Sequence, residues 1–378
     1  LKKINFRLKM DKKISSNNSL ADFKNLKEAL SKMKQFLGKM GHPLDPSLYR
    51  LTMTGDIQYE PALAVSVFAT KIRYMLGIIN EADKKALGSH ILSFQNSDGS
   101  FSDAWVEEKS LFMRRYLALR TLDFSNWNNK KSIRAETRQS FAALRCMNII
   151  PPVQYLSFPH TQKSISKYIN SLNWSSPWSA GSHFGHLLFF LEMYKEQNLS
   201  EIDQVSCMID KAISEVNNKY LLSDGTWGDN KDIEVHERIN GSMKMMIALD
   251  SVDCITNIPN PKGLIDLCLS VVDGRHACDY FNIICVLYYC CRLVDYRNEE
   301  CQSYALKTLS SYEEYYWPNL GGFSFFINKS QTDYYDAKVS EGLPEPDIHG
   351  TVMFLWGIVL ISDILGWRNK LGIQLPVT

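Results

Sequence analysis

A short turn containing a glycine and an aromatic residue recurs along this sequence, each time between two stretches with helical periodicity. Glycine adopts the backbone angles of a tight turn, and the aromatic side chain can fill the space between helix ends. Recurrence of such a unit is typical of a helix-pair repeat. We predict that Trp105, Trp227 and Phe323 are buried between helix ends. The copies are Asp98–Trp105, Ser223–Asp229, Gly321–Phe325 and a degenerate Trp174–Ser179.

From Ser19 almost to the end, apolar residues recur at spacings of three and four, which predicts amphipathic helices. No stretch shows the sustained alternation of a strand, so the fold class is all-α. We expect residues 1–18 to be a polar N-terminal arm and residues 19–378 to form a single domain. The predicted helices are 19–40, 61–79, 81–96, 107–122, 131–148, 161–172, 182–196, 200–219, 233–250, 261–272, 276–293, 298–313 and 347–365.

The composition is that of a globular chain, with 45% hydrophobic and 22% charged residues. There are 42 basic and 41 acidic side chains, a balance that argues against nucleic acid or an anionic membrane as the main partner. The longest apolar run, Thr351–Leu365, is shorter than the roughly 18 to 20 residues of a membrane span and predicts a core helix. We therefore expect no integral membrane segment.

The nine cysteines are scattered, with no Cys-x-x-Cys pair, and several lie within apolar helical runs. This pattern is typical of buried, reduced thiols rather than of a disulfide framework. The basic N-terminal residues lack the apolar stretch of a secretion signal. The sequence thus predicts a soluble protein of the cytoplasm.

These turns resemble the glycine–aromatic turns of the terpenoid cyclase and protein prenyltransferase superfamily, over roughly residues 60–366. The resemblance implies an (α/α)6-type toroid, in which inner and outer helices alternate around an aromatic-lined cavity. A different helical solenoid is the alternative. In a toroid, the polar residues at the starts of the inner helices are the natural candidates for function.

The helices predicted from 347 and 233 both begin with such polar residues. A helix start stabilises Asp347 as an ordinary first-turn acid but disfavours the cationic form of His349. His236 and Asn240 lie four residues apart on one helix face, with Glu237 beside them. A solvated salt-bridge face is the alternative interpretation. We hypothesise that Asp347 or Glu237 donates or accepts a proton, while the histidines relay or orient it.

The resemblance adds two further implications for these helix starts. Prenyltransferase β-subunits bind zinc through an Asp, a Cys and a later His, to which Asp279, Cys278 and His349 are similar. The order of the Cys and the Asp along this chain differs from that in the prenyltransferases. We therefore expect a site without a cofactor and keep a zinc site as the alternative. Class II terpenoid cyclases carry an acidic motif whose first half resembles Glu345–Asp347, but Ile348 interrupts it.

Further residues predict substrate binding. Arg134 and Arg138 lie on one helix face and suit phosphate, diphosphate or carboxylate, although a solvated first turn explains them equally well. A histidine pair three residues apart is either packed core or ligand-facing, and tryptophans at a cavity mouth can bind a ring or a prenyl chain. The remaining candidates are Trp178, His183, His186, Asn240, Asp279 and Tyr280, with His276, Asp56, Tyr59 and Glu60 as weaker ones.

The sequence contains no DDxxD, Walker, Rossmann, GxSxG or HExxH motif. The leading hypothesis is an enzyme acting on an enclosed isoprenoid by acid–base chemistry, with aromatic rings stabilising positive charge. The alternatives are a lyase, glycosidase or epimerase acting on an acidic sugar, and a non-catalytic scaffold. In each enzymatic case the partner is a small molecule. We expect Asp347, His349, His236 and Asp279 to converge at one end of the domain.

Overall fold

A computed structural model describes residues 20–53, 59–124, 126–230, 232–271 and 277–377. The predicted arm at 1–18, as well as Asp56 and His276, lies outside the described residues.

The described chain is mostly helical, which confirms the all-α class, and every predicted helix is present. A final short helix, α14, was not predicted. The helices are α1 Phe23–Met40, α2 Ala62–Met75, α3 Glu81–Leu92, α4 Ala104–Thr121, α5 Lys130–Cys146, α6 Gln162–Ser171, α7 Pro177–Gln197, α8 Ile202–Tyr220, α9 Val235–Asp250, α10 Pro261–Ser270, α11 Ala277–Leu293, α12 Asn298–Ser311, α13 Ile348–Ile364 and α14 Arg368–Leu371.

Two helix starts differ from the prediction for local reasons. Helix α7 begins five residues earlier, at Pro177, because proline fits the first helical turn, where its missing N–H is not needed. Helix α4 begins three residues earlier because the Asp103 side chain accepts a hydrogen bond from Trp105 N and caps the first turn.

Two small antiparallel sheets were not predicted. Strand β1 (Tyr316–Trp317) pairs with β2 (Gly322–Phe323), and β3 (Asp333–Tyr334) pairs with β4 (Ala337–Lys338). Strands of two residues are too short to show an alternating pattern in the sequence. The second hairpin turns through Tyr335 and Asp336, both with positive φ.

Six helices contact one another in a closed order: α2 packs on α5, α5 on α7, α7 on α9, α9 on α11, α11 on α13, and α13 on α2. We call these six the linked helices. Small residues permit the closest of these contacts, since a Cβ on Gly241 would lie 2.4 Å from Pro177 Cβ. Four of the other helices flank them: α3 packs on α2, α8 on α7, α10 on α11 and α12 on α13.

Neighbouring linked helices run in the same direction, because residues early in one contact residues early in the next. Asn240 of α9 donates a hydrogen bond to Asp279 of α11, and Arg134 of α5 lies 3.4 Å from His183 of α7. Their N-terminal ends therefore lie on one side of the molecule.

The glycine–aromatic turns share one geometry. Gly99, Gly225 and Gly321 have φ values of 81°, 92° and 87°, a region that favours glycine. In two of the turns a threonine of a linked helix holds the aromatic residue: Thr137 Oγ1 accepts from Phe101 N, and Thr351 Oγ1 accepts from Phe323 N. The turns thereby attach to linked helices, at the middle of α5 and in the first turn of α13.

The aromatic residues of these turns are buried as predicted in two of three cases. Trp227 is 1% exposed and Phe323 is fully buried. The prediction for Trp105 is wrong, because Trp105 lies in the first turn of α4 and is only half-buried. Phe101, two residues after Gly99, occupies the buried position instead.

We expect Gly225→Ala to destabilise the protein by about 2–4 kcal/mol, because alanine disfavours this φ and its Cβ would lie 2.7 Å from Asn260 O. The matched control is Gly38→Ala, since no atom lies within 4 Å of the added Cβ in the interior of α1. It should be neutral or stabilising by up to about 1 kcal/mol. Urea unfolding of both variants measures the difference, and equal midpoints would contradict this account.

Candidate functional site

Three basic side chains approach one another between the linked helices: Lys71 of α2, Arg138 of α5 and Lys244 of α9. Burial, together with the neighbouring Arg138 charge, lowers the pKa of Lys71 and of Lys244 to about 8. Burial lowers the pKa of Arg138 to about 10. We call these three residues the cationic cluster.

No carboxylate pairs with the cationic cluster among the described residues. Lys71 Nζ donates to Gln139 Oε1, the Arg138 guanidinium lies 5.1 Å from the Phe189 ring, and Lys244 Nζ lies 5.5 Å from the Trp178 ring. An amide oxygen and two ring faces compensate a buried positive charge only in part.

Both histidines of α7 adjoin this cluster. Burial lowers the pKa of His183 to about 4, with a further contribution from the Arg134 charge. Burial and the charge of Arg138 hold the pKa of His186 well below its usual range. Both rings are therefore neutral at pH 7. The structure thus brings together Arg134, Arg138, His183 and His186, four of the predicted substrate-binding residues.

Arg138, His186 and Lys244 are partly buried, and each retains some accessible surface. Trp178 is 48% exposed and lies at the outer end of α7, so it belongs to the rim rather than to the interior.

The β3–β4 hairpin contributes two tyrosines that the sequence analysis did not single out. The Tyr334 ring packs edge-on against Phe68, with centroids 6.1 Å apart, and against His349, at 6.3 Å. Tyr335 lies between the Glu136 carboxyl group and the Arg138 guanidinium, and burial raises its pKa. The only sequence signal was a pair of adjacent aromatics inside a polar loop.

Glu136 was also missed, because its position between two arginines suggested a surface ion pair. Its side chain is buried, and no side-chain donor reaches the carboxyl group; the backbone of Asp103 approaches it without meeting the geometry of a full hydrogen bond. Burial, followed by the nearby Asp103 charge, raises the pKa of Glu136 to about 8. Glu136 is thus mainly protonated at pH 7, the state that a proton donor requires.

Asp347 is fully buried, and backbone N–H groups donate hydrogen bonds to both oxygens of its carboxylate. Its Oδ1 accepts from Gly350 N at 2.6 Å, while Oδ2 accepts from Phe325 N at 2.8 Å and from Gln331 N at 3.1 Å. Burial raises its pKa to about 6 despite these bonds. Asp347 therefore caps α13 and fixes the loop before it.

His349 lies in an aromatic stack. Its ring is 4.6 Å from the nearly parallel Phe68 ring and 4.8 Å from Phe325. Burial, with a smaller effect of the Lys71 charge, lowers the pKa of His349 to about 4. Its Nδ1 has no hydrogen-bond partner, so the neutral ring retains an unused polar atom inside the protein.

His236, Asn240 and Asp279 form a separate network at the starts of α9 and α11. His236 Nδ1 lies 3.6 Å from Asp279 Oδ2, and Asn240 Nδ2 donates to Asp279 Oδ1 at 3.3 Å. Glu237 is not part of this network. Its Oε1 accepts a hydrogen bond from Trp178 N, in the first turn of α7, at 3.1 Å. Tyr280 is half-buried and packs against the hydrophobic core.

The predicted catalytic residues thus divide between two contact groups on the same side of the molecule. His236 and Asp279 contact each other, whereas Asp347 and His349 contact the loop before α13 and helix α2. Their convergence on a single point stays a prediction.

Among the described residues, no group of three or more His, Cys, Asp or Glu side chains is placed to hold a metal ion. Cys278, Asp279 and His349 therefore do not form the zinc site that the resemblance implied.

No family model, curated protein or solved structure matches this chain.

Two other observations bear on the surroundings of the site. Within the described chain, no helix is both long and apolar enough to cross a membrane. All nine cysteines are free thiols.

Cavities lie at the opposite end of the linked helices. One of about 170 Å³ is lined by Tyr288, Arg292 and Asp363, and another of about 210 Å³ by Asp250, Tyr289 and Arg292. Tyr289 donates to Asp250 Oδ2 at 3.0 Å, and its hydroxyl also lies near Arg138. Tyr289 thus stands between the second cavity and the cationic cluster.

The high pKa of Glu136 predicts a pH-dependent stability. A folded-state pKa of about 8, against an ordinary value of 4.5, gives stability that is fully present below pH 4.5 and lost as the pH rises through 8. Glu136→Gln removes this loss. Its melting temperature should therefore increasingly exceed that of the wild type between pH 6 and pH 9.

The control is Glu108→Gln, which replaces an exposed carboxylate of α4. Its melting temperature should follow that of the wild type across the same pH range. Parallel pH profiles for Glu136→Gln and the wild type would show that Glu136 does not titrate near neutral pH.

Proposed function

We propose that this chain is an enzyme that encloses an anionic small molecule within an α/α toroid. The closed contact order of the linked helices supports the toroid, as do their common direction and the outer position of α3, α8, α10 and α12. The same arrangement follows from the resemblance to terpenoid cyclases and protein prenyltransferases.

The cationic cluster is the observation that supports an anionic ligand. Burying a cation without a partner costs several kcal/mol unless something compensates it. Hydrophobic residues of similar size would give a more stable interior than Lys71, Arg138 and Lys244. Their presence is explained if a ligand supplies the missing negative charge, as a phosphate, diphosphate or carboxylate.

The other walls favour a ligand with an apolar body. Phe68, Phe189 and Tyr334 place aromatic rings beside the cluster. An isoprenoid with an anionic head group has both the charge and the apolar surface that this environment accepts. The head group would neutralise the cluster, while the rings would stabilise positive charge that develops on the chain.

Glu136 and His349 supply the acid–base pair in this proposal. Glu136 is protonated at neutral pH and donates its proton to the substrate. A neutral histidine, His349 or His186, then accepts a proton from the product-forming cation, so that the proton count balances. Asp347, engaged by backbone donors, positions His349 rather than reacting itself.

An acidic sugar is the second candidate substrate. The observation that favours it is the hydroxyl of Tyr335 beside Arg138. Burial keeps the Tyr335 phenol protonated, so it can donate a proton to the leaving oxygen of a sugar whose carboxylate Arg138 neutralises, while the neutral ring of His186 accepts the proton that the sugar loses. If the protein were a non-catalytic scaffold that binds no ligand, the unpaired cations would have no explanation.

Lys244→Met separates a ligand-binding cation from a structural one. We expect the ligand-free variant to melt at a higher temperature than the wild type, because the substitution removes an unpaired buried charge. Farnesyl diphosphate, inorganic diphosphate and galacturonate serve as probes in thermal-shift titrations. The wild type should be stabilised most by farnesyl diphosphate, and Lys244→Met should lose at least about tenfold in affinity.

The control Lys262→Met alters an exposed lysine whose Nζ lies the same 5.5 Å from an aromatic ring, that of Tyr296. It should leave both the melting temperature and the affinity unchanged. Stabilisation by galacturonate alone would favour the sugar. Absence of stabilisation by all three probes, together with a lower melting temperature for Lys244→Met, would overturn the proposal.

His349→Phe tests the proton acceptor while keeping the aromatic stack with Phe68 and Phe325. We expect a nearly unchanged unfolding midpoint, because the ring contacts persist. Turnover of the isoprenoid probe, followed by product analysis, should fall at least about a hundredfold. Unchanged turnover would assign the proton transfer to His186 or to another group.

A further inference from the structure

Helix α4 exposes large apolar side chains to solvent. Phe112 is 78% exposed, Leu119 61% and Tyr116 48%. The buried side is narrow and partly polar, consisting of Val106, Ser110, Arg114 and Ala118. This is the reverse of an ordinary surface helix, whose apolar side faces the core.

The exposed apolar surface continues beyond the end of the helix. We define the α4 apolar face as Phe112, Tyr116 and Leu119 together with Leu122 and Phe124, which are 78% and 50% exposed. Single exposed apolar residues are common on protein surfaces, but a contiguous group marks an interaction site.

Basic residues surround this face. Between residues 104 and 131, which include the whole of α4, there are six basic side chains and three acidic ones, although the whole chain is nearly balanced. At about 100° per residue, Arg115 lies on one side of the apolar stripe, with Lys109 and Arg120 on the other. All three are exposed. The balance of the whole chain therefore conceals a local excess of positive charge.

We propose that the α4 apolar face binds to the surface of an anionic lipid bilayer. Aromatic and leucine side chains flanked by lysine and arginine are the composition of helices that lie in a membrane interface. Such a helix can present a convex apolar surface, whereas a protein partner must offer a matching groove. The helix would lie on the bilayer, and this inference does not depend on the chemistry between the linked helices.

Vesicle sedimentation tests the proposal with the full chain. We expect binding to phosphatidylcholine vesicles that contain about 30% phosphatidylserine, and much weaker binding to phosphatidylcholine alone. Phe112→Ser combined with Leu119→Ser should reduce the partition coefficient at least about tenfold. Arg115→Gln combined with Arg120→Gln should weaken binding, and so should about 0.5 M salt.

The matched control is Leu44→Ser combined with Leu199→Ser, which removes two leucines that are 89% and 73% exposed elsewhere on the surface. It should bind like the wild type, and all variants should keep their melting temperatures. Absence of vesicle binding, or binding that Phe112→Ser with Leu119→Ser leaves unchanged, would overturn the proposal. Self-association lost in that variant without vesicle binding would instead assign the face to a second copy of the chain.

Discussion

The close backbone approach at the glycine turns determines how the helices are arranged. A Cβ on Gly99 would lie 2.4 Å from Gln154 O, and one on Gly321 would lie 2.4 Å from Lys32 O, so only glycine allows these segments to meet. Hydrogen bonds from the turns to Thr137 and Thr351 then attach them to linked helices. The linked helices lie side by side in the same direction, so their N-terminal ends and the polar residues there lie on one side.

This arrangement places charged groups where a stable core would have none. Lys71, Arg138 and Lys244 come from three different helices, and each is accommodated only by an amide or a ring face. Glu136 lies in the same low-polarity surroundings, which raise its pKa and keep it mainly protonated. One interior thus holds three basic side chains and an acid that is mainly neutral at pH 7, a combination that makes the fold less stable.

The molecule departs from ordinary polarity twice, with charge inside and apolar surface outside. The cationic cluster and the α4 apolar face are both costly for a folded chain in water, and neither supports the packing of the linked helices. The cationic cluster fits an enclosed anion with an apolar body, and the α4 apolar face fits the surface of an anionic bilayer. A bound anion would offset the cost of burying the cations, and a lipid surface would offset the cost of exposing the apolar side chains.

The helices and the turns between them could be predicted from the residues alone, because helical periodicity and glycine conformation act over a few residues. It also indicated Arg134, Arg138, His183 and His186, whose spacing places each pair on one helix face. Which polar residues lack partners became clear only from the packing of the folded chain. Backbone N–H groups from other segments donate hydrogen bonds to Asp347 and Glu237, whereas no side-chain donor reaches Glu136. Burial and the partners of a charge depend on residues far apart in the chain, and no local pattern records them.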